Sequence, residues 1–154
     1  MYQILLHSPI GQLTLSGTEA ALTALDFGDR RGEGDRPSPL LERAARELAE
    51  YFEGTRRVFT VPLAPAGTPF QRRVWDALAE IPYGETASYG TIAAKVGSPR
   101  ACRAVGMANH RNPIAIFIPC HRVVGADGAL TGYAGGLDRK ERLLALEARW
   151  AAVL

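Results

Sequence analysis

Residues 86–110 of this 154-residue chain read TASYGTIAAKVGSPRACRAVGMANH. The spacing of the apolar residues predicts a short helix from Ser88 to Val96, with Ile92 turned inward. Gly97-Ser98-Pro99 then predicts a turn, and a second helix is expected from Arg100 to Asn109. Two short helices around a glycine turn have the layout of a helix-turn-helix, although many proteins with this layout never contact DNA.

The distribution of charge separates these helices from the rest of the chain. Residues 70–154 carry eleven Lys and Arg against seven Asp and Glu, whereas residues 1–69 carry seven against nine. From Thr86 to Ala126 no acidic residue occurs, and the basic residues there are Lys95, Arg100, Arg103, Arg111 and Arg122. An acid-free basic segment favours a polyanionic partner, and a solvated surface without a ligand is the alternative.

The segment that follows the two helices carries a thiol. Residues 112–124 read NPIAIFIPCHRVV, so that an apolar run and two prolines lead to Cys120 directly before His121. Neighbouring His and Arg side chains can hold a cysteine as thiolate, which predicts a nucleophile, and a buried structural cysteine is the alternative. If this segment is a strand, His121 reaches Cys120 only through a bend or a water molecule, because adjacent side chains point to opposite faces.

A helix near the end of the sequence predicts a carboxylate partner. Asp138 is expected to cap this helix, and Leu143 and Trp150 define an apolar stripe on which Glu147 also lies. A carboxylate that faces a core needs a partner, and His121 is the expected one, which gives a thiol, imidazole and carboxylate. A position at the edge of the stripe, where Glu147 reaches water, is the alternative.

The first half of the sequence predicts a small α+β domain over residues 1–67. Strand-like runs at 3–8, 12–16 and 22–27 are separated by turn residues, which indicates an antiparallel meander. A helix is expected to begin at Ser38-Pro39 and to end at Gly54.

The second domain is expected to cover residues 68–154. Residues 62–67 read PLAPAG, which is typical of a linker. Thr68-Pro69-Phe70-Gln71 has the spacing of a capping box, and the helix that it begins should end before Pro82.

Two cysteines, Cys102 and Cys120, are too few for a secreted disulfide framework, and no C-x-x-C pair indicates zinc. No apolar run approaches the roughly 18 residues of a membrane span, and the N-terminus does not have the pattern of a signal peptide. We therefore expect a cytoplasmic protein with free thiols, and a nuclear location is the alternative. Cys102 is expected to be a small buried residue, and a second reactive thiol is the alternative.

The sequence around Cys120 resembles the active-site region of the O6-alkylguanine-DNA alkyltransferases, also called methylated-DNA–protein-cysteine methyltransferases. The resemblance is carried by PCHRVV at 119–124, by Arg111-Asn112-Pro113 before it and by GYAGGL at 132–137, and it extends from about Thr68 to Glu147. It implies an α+β fold with a small ribonuclease-H-like N-terminal domain followed by a helical domain, which contains the helix-turn-helix and the active cysteine.

This resemblance implies DNA repair by irreversible, stoichiometric transfer of an alkyl group from O6 of guanine, and also from O4 of thymine, to Cys120. His121 takes the thiol proton through water, Glu147 orients His121, Asn112 braces the network, and Tyr89 donates to the base as it leaves. Proteins that bind alkyl lesions without removing them share the fold and are the alternative, and a helix-turn-helix regulator and a thiol hydrolase are further rivals.

The resemblance also implies how DNA is held. Arg103 enters the base stack where the lesion nucleotide is flipped out, with a plain phosphate contact as the alternative. The implied DNA-binding residues are Arg103, Arg100, Ala104, Gly106, Ser98, Arg111 and Arg122. The implied pocket residues are Tyr133, Ala134, Gly135, Ile118 and Pro119. We expect a monomer that binds double-stranded DNA containing O6-alkylguanine, without cofactor, metal, membrane or obligate protein partner.

Overall fold

The computed structural model describes residues 1–33 and 35–152, which form two compact units that divide between Ala66 and Gly67. No helix within the described ranges combines the length and the hydrophobicity that crossing a membrane requires.

The first unit is a three-stranded antiparallel sheet with one helix. Its strands are β1 (Tyr2–Ser8), β2 (Gly11–Gly17) and β3 (Leu22–Phe27), in the order β1-β2-β3. Helix α1 (Pro39–Glu53) contacts all three strands and buries Leu41, Ala44, Leu48 and Tyr51. The predicted start and end are confirmed, because the Ser38 hydroxyl accepts the Leu41 N–H and Gly54 has a φ of 81°.

The second unit begins with helix α2 (Pro69–Ala79). The predicted capping box is present, since the Thr68 hydroxyl accepts the Gln71 N–H and the Gln71 side chain accepts the Thr68 N–H. The later elements are β4 (Ala87–Ser88), α3 (Tyr89–Lys95), α4 (Cys102–His110), a 3-10 turn (Cys120–Arg122), β5 (Val123–Val124) and α5 (Leu137–Ala151).

Helices α3 and α4 form the predicted helix-turn-helix. The Ser88 hydroxyl caps α3 by accepting the Thr91 N–H, and Gly97 turns the chain with a φ of 79°. Helix α2 contacts both helices, and the Trp75 indole donates to the Ala108 carbonyl at 2.9 Å in the core of this unit.

A short parallel pairing connects the start of the helix-turn-helix with the 3-10 turn. Ala87 pairs with Val123 and Ser88 with Val124, where β5 directly follows Arg122. Tyr89, the first residue of α3, is therefore held close to the end of the segment that carries Cys120.

Two sequence predictions are wrong, one about the cap of α5 and one about the burial of Cys102. Gly136, not Asp138, is the cap residue of α5, because its φ of 91° suits glycine and its carbonyl accepts the Lys140 N–H. Cys102 is exposed at the start of α4, because the buried face of α4 consists of Val105, Ala108 and Asn109.

Candidate active site

Cys120 opens the 3-10 turn and is 3% exposed. The segment is therefore not a strand at the thiol, and the backbone bends there. Asn112 holds the chain that leads to it: its Nδ2 donates to the Ile118 carbonyl at 2.8 Å and its Oδ1 accepts the Ile114 N–H at 3.0 Å. These two contacts hold the turn that leads to Cys120.

The turn braced by Asn112 is strained. Ile116 has a φ of 74° and is the only non-glycine residue with a positive φ in the described ranges. A β-branched side chain disfavours this conformation, and such strain persists only where the surroundings hold it. The Ile118 N–H, which donates to the Ile114 carbonyl at 3.0 Å, closes the turn around Ile116.

His121 and Glu147 form the predicted pair. His121 Nε2 and Glu147 Oε2 are 2.6 Å apart, and the two side chains are 0% and 1% exposed. Glu147 therefore does not reach water at the edge of the α5 stripe. Its Oε1 also accepts the Gly84 N–H at 3.1 Å, which ties α5 to the turn after α2.

The prediction that Arg122 binds DNA is wrong. The resemblance places it among the DNA-binding residues, but it is 6% exposed and its guanidinium donates to both oxygens of Glu147, at 2.8 and 3.0 Å. It also donates to the Ile81 carbonyl at 2.7 Å and lies over the Tyr83 ring. A guanidinium used in this way inside the protein is not available for phosphates.

The electrostatics assign the protons of the pair. Burial opposes the charge on Glu147, but it is outweighed by the hydrogen bonds of His121 and Arg122, by the charge of Arg122 and by the charge that His121 carries when it is protonated. The Glu147 pKa is thereby lowered to about 2. Burial lowers the pKa of His121, against the opposing effect of Glu147. Because Nε2 is the ring nitrogen that faces the Glu147 carboxylate, the neutral His121 imidazole carries its proton on Nε2, which leaves Nδ1 as an acceptor. That Nδ1 is buried and has no hydrogen-bond partner among the described residues.

Burial raises the pKa of Cys120 to about 11, although Asn112, Lys140 and Tyr133 each favour the thiolate. The thiol is therefore protonated at rest at neutral pH and must give up its proton in order to react. Burial, together with the charge of the nearby Cys120 thiolate, raises the Tyr133 pKa well above 10.

Lys140 is a site residue that the sequence analysis missed. It is fully buried on α5, and its Nζ donates to the carbonyls of Val123 at 2.5 Å and Thr131 at 3.1 Å. It forms no ion pair with a described carboxylate, and its charge acts on Cys120. Its spacing from Leu143 and Glu147 on one helix stripe is the signal that could have revealed it.

Asn109 was also missed. It lies on the buried face of α4, and its Nδ2 donates to the carbonyl of Cys120 at 3.4 Å. The helix predicted to contact DNA is thus bonded directly to the backbone of the candidate nucleophile.

The predicted pocket residues are divided by exposure. Ile118, Pro119, Tyr133 and Gly135 are buried with Cys120, whereas Ala134 is exposed. They belong to two segments, the one before Cys120 and the one between β5 and α5. The structure brings these segments together through Tyr133.

The predicted DNA-binding residues other than Arg122 lie on or beside α4. Arg100, Arg103, Ala104 and Arg111 are exposed, and Ser98 and Gly106 are half-buried. No described carboxylate forms an ion pair with any of these arginines. Met107 and His110, which are also exposed, continue the stripe from Arg103 at helical spacing and were not singled out from the sequence.

Tyr89 lies between the predicted pocket residues and the predicted DNA-binding residues. A methyl group built on Gly106 would come within 3.8 Å of the Tyr89 ring, so the ring packs against α4. Its hydroxyl is 2.6 Å from the hydroxyl of Thr131. The described residues contain no group of three or more His, Cys, Asp or Glu that could hold a metal ion.

Comparison with known proteins covers both units. Residues 1–65 match a family model described as the ribonuclease-like domain of 6-O-methylguanine DNA methyltransferase, and residues 69–149 match the DNA-binding domain of the same proteins. The chain is 54% identical to a methylated-DNA–protein-cysteine methyltransferase of Methanosarcina barkeri, over 96% of this chain and 97% of that protein.

A protein of the same description from Mycolicibacterium paratuberculosis is 54% identical, over 92% of this chain and 89% of that protein. Among solved structures, the fold is similar to Mycobacterium tuberculosis OGT in complex with DNA. The TM-score is 0.90 and the identity 49%, over 97% of this chain and 94% of that chain.

Proposed function

This chain belongs to the 6-O-methylguanine DNA methyltransferase family, and from that premise we propose that Cys120 is the residue that takes up the alkyl group. The protein repairs DNA by direct alkyl transfer, with the activity of a methylated-DNA–protein-cysteine methyltransferase. The observation that carries the assignment to Cys120 is a buried thiol directly before an imidazole that a buried carboxylate holds at 2.6 Å.

The reaction begins with the loss of the thiol proton. The tautomer set by Glu147 leaves His121 Nδ1 as a buried acceptor, and the proton of Cys120 passes to it through a water molecule. The ammonium of Lys140 and the Asn112 amide favour the thiolate that remains. Histidine thus acts as the base, and Glu147 stabilises the imidazolium that forms.

The thiolate then displaces the base. Sulfur forms a bond to the alkyl carbon while the bond from that carbon to O6 breaks, and the electron pair of the broken bond goes to the guanine ring. Tyr89 donates a hydrogen bond to the base as this negative charge develops, which stabilises the transition state more than the substrate. The product is a thioether at Cys120, which offers water neither an activated carbon nor a good leaving group. Transfer is therefore irreversible.

Access to the alkyl group requires that the lesion nucleotide leaves the base stack, at a cost of a few kcal/mol. The exposed face of α4 docks on the DNA through Arg100 and Arg111, and Arg103 enters the stack in place of the flipped base. The half-buried Gly106 and the exposed Ala104 let the helix come close to the groove. Tyr133 and Gly135 cover the flipped guanine, and O4-alkylthymine enters the same pocket.

The division of labour follows the domains. Residues 68–154 hold every residue assigned here to chemistry or DNA, and residues 1–67 form the ribonuclease-like domain. The active protein works in the cytoplasm, where a reducing environment keeps Cys102 and Cys120 as free thiols. It acts as a monomer on double-stranded DNA.

Titration with excess methylated duplex DNA tests this proposal. Each protein molecule should repair one guanine and gain the mass of one methylene, located by peptide mapping at Cys120. Cys120→Ser should bind the lesion and never gain that mass. Several repairs per molecule would contradict the irreversible transfer, and binding without any mass change would favour a lesion-binding protein.

A further inference from the structure

The hydroxyl groups of Tyr89 and Thr131 form a short contact of 2.6 Å. Tyr89 is the first residue of α3, whereas Thr131 belongs to the segment between β5 and α5 that also carries Tyr133. The contact therefore joins the helix-turn-helix to the segment that we assign as the cover of the flipped base.

The Thr131 end of this contact is held in place. The Thr131 carbonyl accepts the Nζ of Lys140 at 3.1 Å, and the same Nζ donates to the carbonyl of Val123. Val123 in turn pairs with Ala87, two residues before Tyr89. Hydrogen bonds thus link Tyr89, Thr131, Lys140 and β5 in a closed ring. The ammonium of Lys140 in this ring is the charge that acts on Cys120.

The Tyr89–Thr131 pair has one hydroxyl hydrogen more than the bond between the two residues uses. Each hydroxyl has one hydrogen to donate, and a bond between two hydroxyls uses one of the two. Neither hydroxyl has another hydrogen-bond partner among the described residues. One O–H therefore remains free to donate to a molecule in the pocket. If Thr131 donates to Tyr89, the remaining donor is the phenolic O–H, and the bond that it accepts makes it a stronger donor.

We propose that Thr131 is a positioning residue for the transfer reaction: its hydroxyl donates to Tyr89 Oη and thereby directs the phenolic proton at the base that leaves. This inference rests on the proposed role of Tyr89. Thr131 does not touch the reacting atoms, and its whole effect passes through the tyrosine. Charge builds up on the base only as the bond from O6 to the alkyl carbon breaks, so Thr131 affects the maximal rate of transfer and not the affinity for DNA.

The prediction separates a hydrogen-bond role from a packing role. Thr131→Val keeps the shape and removes the hydroxyl, whereas Thr131→Ser keeps the hydroxyl and removes a methyl group. One hydrogen bond in a network is worth about fivefold to tenfold in rate. Thr131→Val should therefore lower the maximal rate by about that factor, while Thr131→Ser should stay within about twofold of the unchanged protein.

The test is a single-turnover measurement of methyl transfer to Cys120 over a range of duplex concentrations. The proteins compared are the unchanged chain, Thr131→Val, Thr131→Ser, Tyr89→Phe and the double variant Tyr89→Phe/Thr131→Val. We expect the valine variant to be slower at an unchanged half-saturating DNA concentration, and the double variant to be no slower than Tyr89→Phe. The loss of rate in Thr131→Val should be smaller for a free alkylated base that carries an electron-withdrawing substituent. Such a base stabilises its own negative charge and depends less on a hydrogen bond as it leaves.

Full additivity of the two losses would overturn the inference, as would a serine variant as slow as the valine variant or a Tyr89→Phe variant with an unchanged rate. Failure of the proposed function gives a different result, since the unchanged chain would then gain no methylene at Cys120.

Discussion

Replacing Glu147 by glutamine tests the centre of the site. Its carboxylate accepts N–H groups from His121 at 2.6 Å, from Arg122 at 2.8 and 3.0 Å, and from Gly84 at 3.1 Å. An amide has one oxygen and one NH₂ group, so the NH₂ of the variant meets N–H donors instead of accepting from them. The buried Arg122 also loses its counter-charge.

The expected loss of stability follows both from the ion pair and from the pKa of Glu147. Removing one partner of a buried ion pair costs about 3–5 kcal/mol. The Glu147 pKa, lowered from 4.5 to about 2, corresponds to about 3 kcal/mol of stabilisation by the charged form. Both values are a large share of the roughly 5–15 kcal/mol that stabilises an ordinary domain. We therefore expect the variant to be about 3 kcal/mol less stable at neutral pH.

The pH dependence has a definite sign. A carboxyl with a depressed folded-state pKa contributes its full stabilisation above the unfolded value of 4.5 and loses it as the pH falls toward 2. Since glutamine resembles the protonated form, the unfolding free energies of the unchanged protein and of Glu147→Gln should converge over that interval.

Urea unfolding at a series of pH values measures this difference, with Glu141→Gln, an exposed position on the same helix, as the matched control. The control should follow the unchanged protein at every pH. A Glu147→Gln variant that ran parallel to the unchanged protein down to pH 2, or differed by less than about 1 kcal/mol at neutral pH, would refute the ion-pair assignment. At a temperature where the variant is folded, transfer should slow by about tenfold or more with DNA binding nearly intact, because His121 loses its orienting partner.

The remaining predictions concern the DNA face, the buried cation and the exposed thiol. Duplex binding should weaken as salt rises, because phosphate contacts release counterions; salt-independent binding would remove the DNA assignment of α4. Arg103→Ala should slow repair of duplex lesions more than reaction with the free alkylated base, and equal losses would place Arg103 in the pocket. Lys140→Met should slow transfer at neutral pH, with the loss shrinking at higher pH, because the cation lowers the pKa of Cys120; a pH-independent loss would indicate a packing role. Cys102→Ala should transfer at the unchanged rate by mass measurement, and a loss with the fold intact would mean that a second cysteine takes part.

Local signals in the sequence were sufficient for most of the fold. The caps at Ser38 and Thr68 are formed by contacts within three residues, so short patterns predict them. The pairing of Glu147 with His121 was predictable for another reason: a carboxylate on an apolar stripe requires a buried partner. The helix-turn-helix followed from glycine and apolar spacing around Gly97.

Charge patterns predicted less about the site. Arg122 lies in the same acid-free segment as Arg103, yet one side chain is buried against Glu147 and the other is exposed. A sequence gives the sign of a charge but not the direction of the side chain. Lys140 was missed for the same reason, because a lysine in a helix is ordinarily exposed and only its contacts reveal that this one is buried.

The bonds that Glu147 forms with His121, Arg122 and Gly84 also constrain how the protein acquires its activity during folding. They join the last described helix to His121 and Arg122, 26 and 25 residues earlier, and to Gly84, 63 residues earlier. Closing such long loops is slow and costs entropy before any contact offsets it. A nascent chain that has released Cys120 and His121 but not yet Glu147 from the ribosome therefore carries the thiol and the base without the carboxylate that orients the base, and reactivity arrives together with the completed fold.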